Sequence, residues 1–127
     1  MPFSRFLLLA AAMLLAFDVA ASVGSIALGF PYASATYGSI IMYVGFGFLA
    51  ALRYGFSRGV LLGALLGLID ATAGWAISWA IGPGQVAASQ FSFGAWALTL
   101  VLVVAMGAVF GLVGSGAAML VRRARAT

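Results

Sequence analysis

The sequence predicts an all-α integral membrane protein: a single domain, residues 1–127, of four transmembrane helices in a compact, glycine-rich bundle. Three observations predict it. The 127-residue chain is 65% hydrophobic and only 6% charged, where a soluble domain carries about 25% charged residues. A small domain leaves a large share of its surface exposed, so a body of this size cannot hide that much apolar area from water. The apolar residues also fall into four tracts, each near the roughly 20 residues needed to cross a ~30 Å bilayer core. Finally, all six arginines stand at the ends of those tracts.

The first span runs from about 6 to 29, just after Arg5. A break with Pro31 between Gly29 and Gly38 separates it from the second span, about 34–52. "RYGFSR", with Arg53 and Arg58, leads into the third, about 58–81. "GPGQVAASQFSFG" carries Pro83 and the only two Gln of the chain, and it precedes the fourth span, about 96–121. Arg122, Arg123 and Arg125 follow. Arginine-rich loops stay on the cytoplasmic side, so all six anchors give one topology, with both termini inside. Trp79, Trp96, Tyr32 and Tyr37 fall at the opposite ends, where an aromatic belt belongs. The all-Arg, Ala- and Gly-rich usage points to a bacterial cytoplasmic (inner) membrane. One rival is a cleaved signal peptide ending near "VAAS", which would leave three spans. The apolar character continues past Ala21 to Phe30, so a retained first span is expected.

The absences exclude most chemistry. There is no Cys, His, Lys, Glu or Asn. That removes disulfides, thiolate and imidazole metal sites, and Ser-His-Asp or Cys-His catalysis. Two carboxylates are a thin ligand set for a metal, so no metal, cofactor or enzymatic activity is expected. The pI near 10.4 comes from arginines at membrane edges. It reads as topology, and no nucleic-acid partner is expected.

The two carboxylates are Asp18 and Asp70. In "GLIDATAGWAISWAIGPG", Asp70 has no charged residue for 11 positions before it or 51 after it. Each aspartate lies about twelve residues into its span, about 18 Å deep and near the midplane. An Asp there costs roughly 2.5–3.5 kcal/mol on insertion scales. Span three carries Gly55, Gly59, Gly63 and Gly67 at spacing four, and Asp70 and Gly74 continue that stripe. Such small-residue ridges let helices approach closely. Asp70 is therefore expected to face a helix interface, with Gly107, Gly111 and Gly114 supplying the matching face of span four. Ser22, Thr72 and Tyr43 are the candidate hydrogen-bond partners of the aspartates. Their expected role is interhelical polar contact or a proton or cation site.

An internal repeat of two parallel hairpins is also suggested. Asp18 and Pro31 align with Asp70 and Pro83 at one offset, 52 residues. The function expected first is a small non-enzymatic membrane protein packing through glycine-rich faces, with itself or as an accessory subunit of a membrane complex. The alternative is a small proton- or cation-coupled transporter or channel using the two midplane aspartates. In either case the partners are the lipid bilayer and other membrane-embedded chains.

Overall fold

The computed structural model describes residues 1–85 and 89–127. Among these there is no strand, and four helices are long and apolar enough to cross a membrane. They are α1 (Phe3–Leu28), α2 (Ala35–Tyr54, entered through a 3-10 turn at Tyr32–Ser34), α3 (Phe56–Ile81) and α4 (Phe93–Ala126). Within α3 the α-helical stretches Phe56–Ile69 and Trp75–Ile81 are separated by a π turn at Asp70–Gly74.

The helix ends differ from the apolar tracts for local reasons. Glycines in positive-φ conformations end three helices: Gly29 (φ 73°), Gly55 (φ 98°) and Gly82 (φ 129°). Gly55 alone connects α2 to α3. The stretch expected as a loop around Arg53 and Arg58 is thus helical on both sides of a one-residue corner. At the start of α4 the Ser92 hydroxyl accepts the Ala95 N–H at 3.0 Å. That cap starts the helix three residues before Trp96. Arg and Ala are good helix formers, so α4 continues through Arg122, Arg123 and Arg125 to Ala126. Its 34 residues extend about 51 Å, well beyond a ~30 Å bilayer core.

One end of the bundle gathers the arginines. The Arg58 guanidinium lies 5.1 Å from the Phe3 ring centre. Phe3 meets Tyr54 edge-on at 5.5 Å, and the Tyr54 hydroxyl donates to the Met1 carbonyl at 2.8 Å. Gly59, early in α3, faces Ser115, late in α4, which brings the last turns of α4 to the same end.

Helices α2, α3 and α4 form the tightly packed part, with α3 against α4 the most extensive contact. Along it the glycines set the spacing. A carbon added at Gly63 would stand 2.8 Å from the Gly111 Cα, and one at Gly67 would stand 2.6 Å from the Val103 carbonyl oxygen. Gly107 faces Gly63 and Gly67 in return. Gly114 packs on α2 instead, where an added carbon would lie 2.8 Å from the Phe48 nitrogen. Helix α1 packs on α2 and α3, without close contact to α4. Phe6, Ala10, Leu14, Tyr43, Ala50, Leu62 and Leu66 form the buried core, weighted toward the arginine end. The outer surface is apolar: Leu8, Met13, Val101, Leu102 and Val109 are each more than half exposed. Such a surface suits hydrocarbon, and the helices satisfy their backbone groups internally as lipid requires.

Candidate functional site

The two aspartates come together. Asp18 reaches in from α1 and Asp70 opens the π turn of α3. They meet over Gly74: a carbon added there would collide with Asp18 Oδ2 and lie 2.8 Å from Asp70 Oδ1 and 3.2 Å from Asp18 Cγ. Glycine at 74 therefore does a different job from the other glycines of α3. It leaves room for carboxyl groups, not for a neighbouring helix.

The π turn contributes to this meeting. The Trp75 N–H donates to the carbonyl of Asp70, five residues back, in place of the usual four. In a regular helix residue i+5 lies about 140° around the axis from residue i. Widening the turn brings it back toward the same side. Asp70, Trp75 and Ser78 all line one cavity as a result.

The surroundings of the pair are unequal. Asp70 is held by the Tyr43 hydroxyl, which donates to Oδ2. Tyr43 is fully buried, so this contact ties α2 to α3 at mid-depth. Asp18 is 3% exposed, and its Oδ2 has no hydrogen-bond partner. Ser22, one turn further along α1, is fully buried and likewise unpartnered. It stands near Asp18 in sequence but does not line the cavity. Thr72 is not drawn into the site. Its hydroxyl donates back to the Leu68 carbonyl at 2.7 Å and lies 3.3 Å from that of Ile69. A threonine in a helix readily satisfies itself this way.

Above the pair, away from the arginine end, lies a cavity of about 430 Å³. Its walls come from the start of α2, the second half of α3, the segment Gln90–Ser92 and the first half of α4. Phe91 stacks on Trp75 with ring centres 6.4 Å apart, and Trp96 faces the same space. Ser39, 6% exposed, adds a hydroxyl beside the carboxylates. No arginine lines the cavity. Below it, the close approach of Gly63 and Gly67 to α4 leaves no gap between α3 and α4. The chamber begins where that stripe gives way to the π turn.

Sequence reasoning found Asp18, Asp70 and Tyr43 but missed Ser39, Trp75, Phe91 and Trp96 as walls of one chamber. Trp96 read only as a belt residue. Trp75 lies on the opposite face from Asp70 when a regular helix is assumed, so only knowledge of the π turn would have joined them. The six arginines sit away from the cavity, at the helix ends. No group of three or more acidic, His or Cys side chains gathers among the described residues. Comparison with protein-family models, curated proteins and solved structures gave no match to this chain.

Proposed function

We propose that this chain is a small non-enzymatic protein of a bacterial cytoplasmic membrane, both termini inside, that carries a proton or monovalent cation through the Asp18–Asp70 pair. The observation that carries the reading is Asp18. It is buried, it makes no hydrogen bond through Oδ2, and it stands beside a second carboxylate at the floor of an open chamber. Interhelical polar glue is hydrogen-bonded glue. Tyr43 and Asp70 fit that description, and Asp18 does not. An intramembrane carboxylate without a basic partner is suited to a mobile positive charge.

The same geometry suggests how access alternates. The chamber lies on the side of the aspartates away from the arginines, and Leu14, Leu62 and Leu66, each fully buried, pack on the other side, one to two turns nearer the arginine end. Helix α1 brings Asp18 and part of that packing, and it is the least extensively packed of the four. Movement of α1 along α2 and α3 would open the lower side while carrying Asp18 with it.

The test is flux. In liposomes, the wild-type chain should dissipate a proton or sodium gradient, and Asp70→Asn should not, with the same elution mass in mild detergent. Equal flux in protein-free liposomes and in both proteins would rule the reading out.

A second reading keeps the chain as a packing or accessory subunit. It is favoured by Gly45 and Gly116, where an added carbon would meet nothing within 4 Å. These small positions on α2 and α4 leave space for another helix. Stoichiometric foreign subunits in the complex purified from native membrane would establish it.

A further inference from the structure

The chamber above the aspartates is larger than an inorganic ion fills, and aromatic faces form part of its wall. We infer that it accepts a monovalent organic cation with an apolar or aromatic body, such as an aryl- or alkylammonium, entering from the arginine-free end. This rests on the cation reading above and names its substrate class.

Size comes first. A cavity of about 430 Å³ falls in the range of small-molecule pockets, roughly 300–1,000 Å³. A proton needs no cavity, and a hard inorganic cation is held by about six or more oxygens. Here the carboxylates of Asp18 and Asp70 with Ser39 form the floor. The walls mix hydroxyl and amide groups (Thr36, Gln90, Thr99) with the broad aromatic faces of Trp75, Phe91 and Trp96. Charge comes next. Both carboxylates share the floor, no arginine reaches it, and Asp18 Oδ2 is buried without a partner. An anion would be repelled, and a neutral apolar molecule would leave the carboxylates uncompensated. The aromatic walls complete the match. Trp faces attract cations, most strongly for quaternary ammonium groups in desolvated sites. The Trp75–Phe91 stack gives such a ligand a flat surface along one side.

The test uses benzyltrimethylammonium and its uncharged isostere neopentylbenzene on the full chain in lipid nanodiscs. Tryptophan fluorescence reports binding. The expected result is saturable binding of the cation, with the isostere at least about tenfold weaker. Asp18→Asn and Asp70→Asn should each weaken the cation by about tenfold or more. Trp75→Leu should weaken it too, and Trp75→Phe, which keeps an aromatic face, should restore much of the affinity. That rescue separates lost recognition from lost folding. Equal binding of the isostere, or indifference to both Asn variants, would overturn the inference in favour of a lipid-filled apolar pocket. Aspartate-dependent proton or sodium flux that benzyltrimethylammonium neither joins nor slows would also overturn it, while leaving the proposed function intact. Aspartate-dependent binding without flux of any cation would uphold the inference and remove the transport reading.

Discussion

Gly63 and Gly74 lie on the same glycine-rich face in sequence, yet the atoms beside them differ in kind. At Gly63 an added carbon meets backbone, with the Gly111 Cα 2.8 Å away. Backbone in a packed helix cannot step aside, and overpacking of this kind costs about 1–3 kcal/mol. At Gly74 the atoms in the way are the ends of two aspartate side chains, which can rotate. Gly63→Ala is therefore expected to lower the unfolding temperature in detergent clearly. Gly74→Ala should change it little and yet abolish aspartate-dependent flux, because the two carboxyls are pushed apart. Parallel melting and flux measurements on the two variants check this. A second contrast concerns hydrogen bonding. Tyr43→Phe removes the donor to Asp70, and interhelical bonds within membranes are worth about 0.6 kcal/mol on average. A double-mutant cycle with Asp70→Asn should return a coupling of about that size. The intramembrane aspartates and Tyr43 were legible in the sequence because each is an outlier of type or depth. The unpartnered state of Asp18 was not, since it depends on what α2 and α3 bring near it.

At the level of elements, the four spans were legible because lipid demands long apolar runs, and charge and proline interrupt them visibly. The ends were less so. Arg53 and Arg58 marked a loop in sequence, but arginine is helix-compatible and the corner needed only Gly55. The π turn was hidden, because weak helix formers such as Asp70, Thr72 and Gly74 do not distinguish a π turn from an α turn. Its consequence is testable. Deleting Ala71 should return α3 to regular α geometry with Trp75 as the fourth residue after Asp70, about 40° from it and still on the same face. Trp75 and Ser78 would then stay in the chamber. Helical content by circular dichroism and organic-cation binding should both be retained. Lost binding with unchanged helical content would show that the chamber needs the π turn itself. The helix ends do not follow the offset of the internal repeat suggested by the sequence. Ser25 and Gly29 end α1 as Ser78 and Gly82 end α3, each glycine N–H donating to the serine carbonyl. Those pairs are offset by 53 residues, whereas the aspartates before them and the prolines after them are offset by 52, so no single offset relates the two halves.

For the whole molecule, lipid as solvent and a single arginine-bearing end organise everything else. The natural absence of cysteine makes orientation easy to examine. Ser89→Cys should react with a membrane-impermeant thiol reagent on intact cells, and Ser57→Cys should react only after permeabilisation. Docking of α1 can be checked in the same cysteine-free background. A carbon at Gly74 lies 3.2 Å from Asp18 Cγ, the position that the sulfur of Asp18→Cys would take, so two thiols placed here fall within bonding reach. The double variant Asp18→Cys, Gly74→Cys should therefore cross-link on mild oxidation. The most direct measurement concerns Asp18→Asn alone, examined for cation flux in liposomes and for thermal stability in detergent. Asp18 makes no hydrogen bond through Oδ2 that its replacement would break, and neutralising a buried, unpaired carboxylate removes a penalty. The expected result is abolished flux with stability equal to or above wild type. Unchanged flux, or lost flux only alongside lost stability, would contradict a cation site and leave Asp18 as part of the packing.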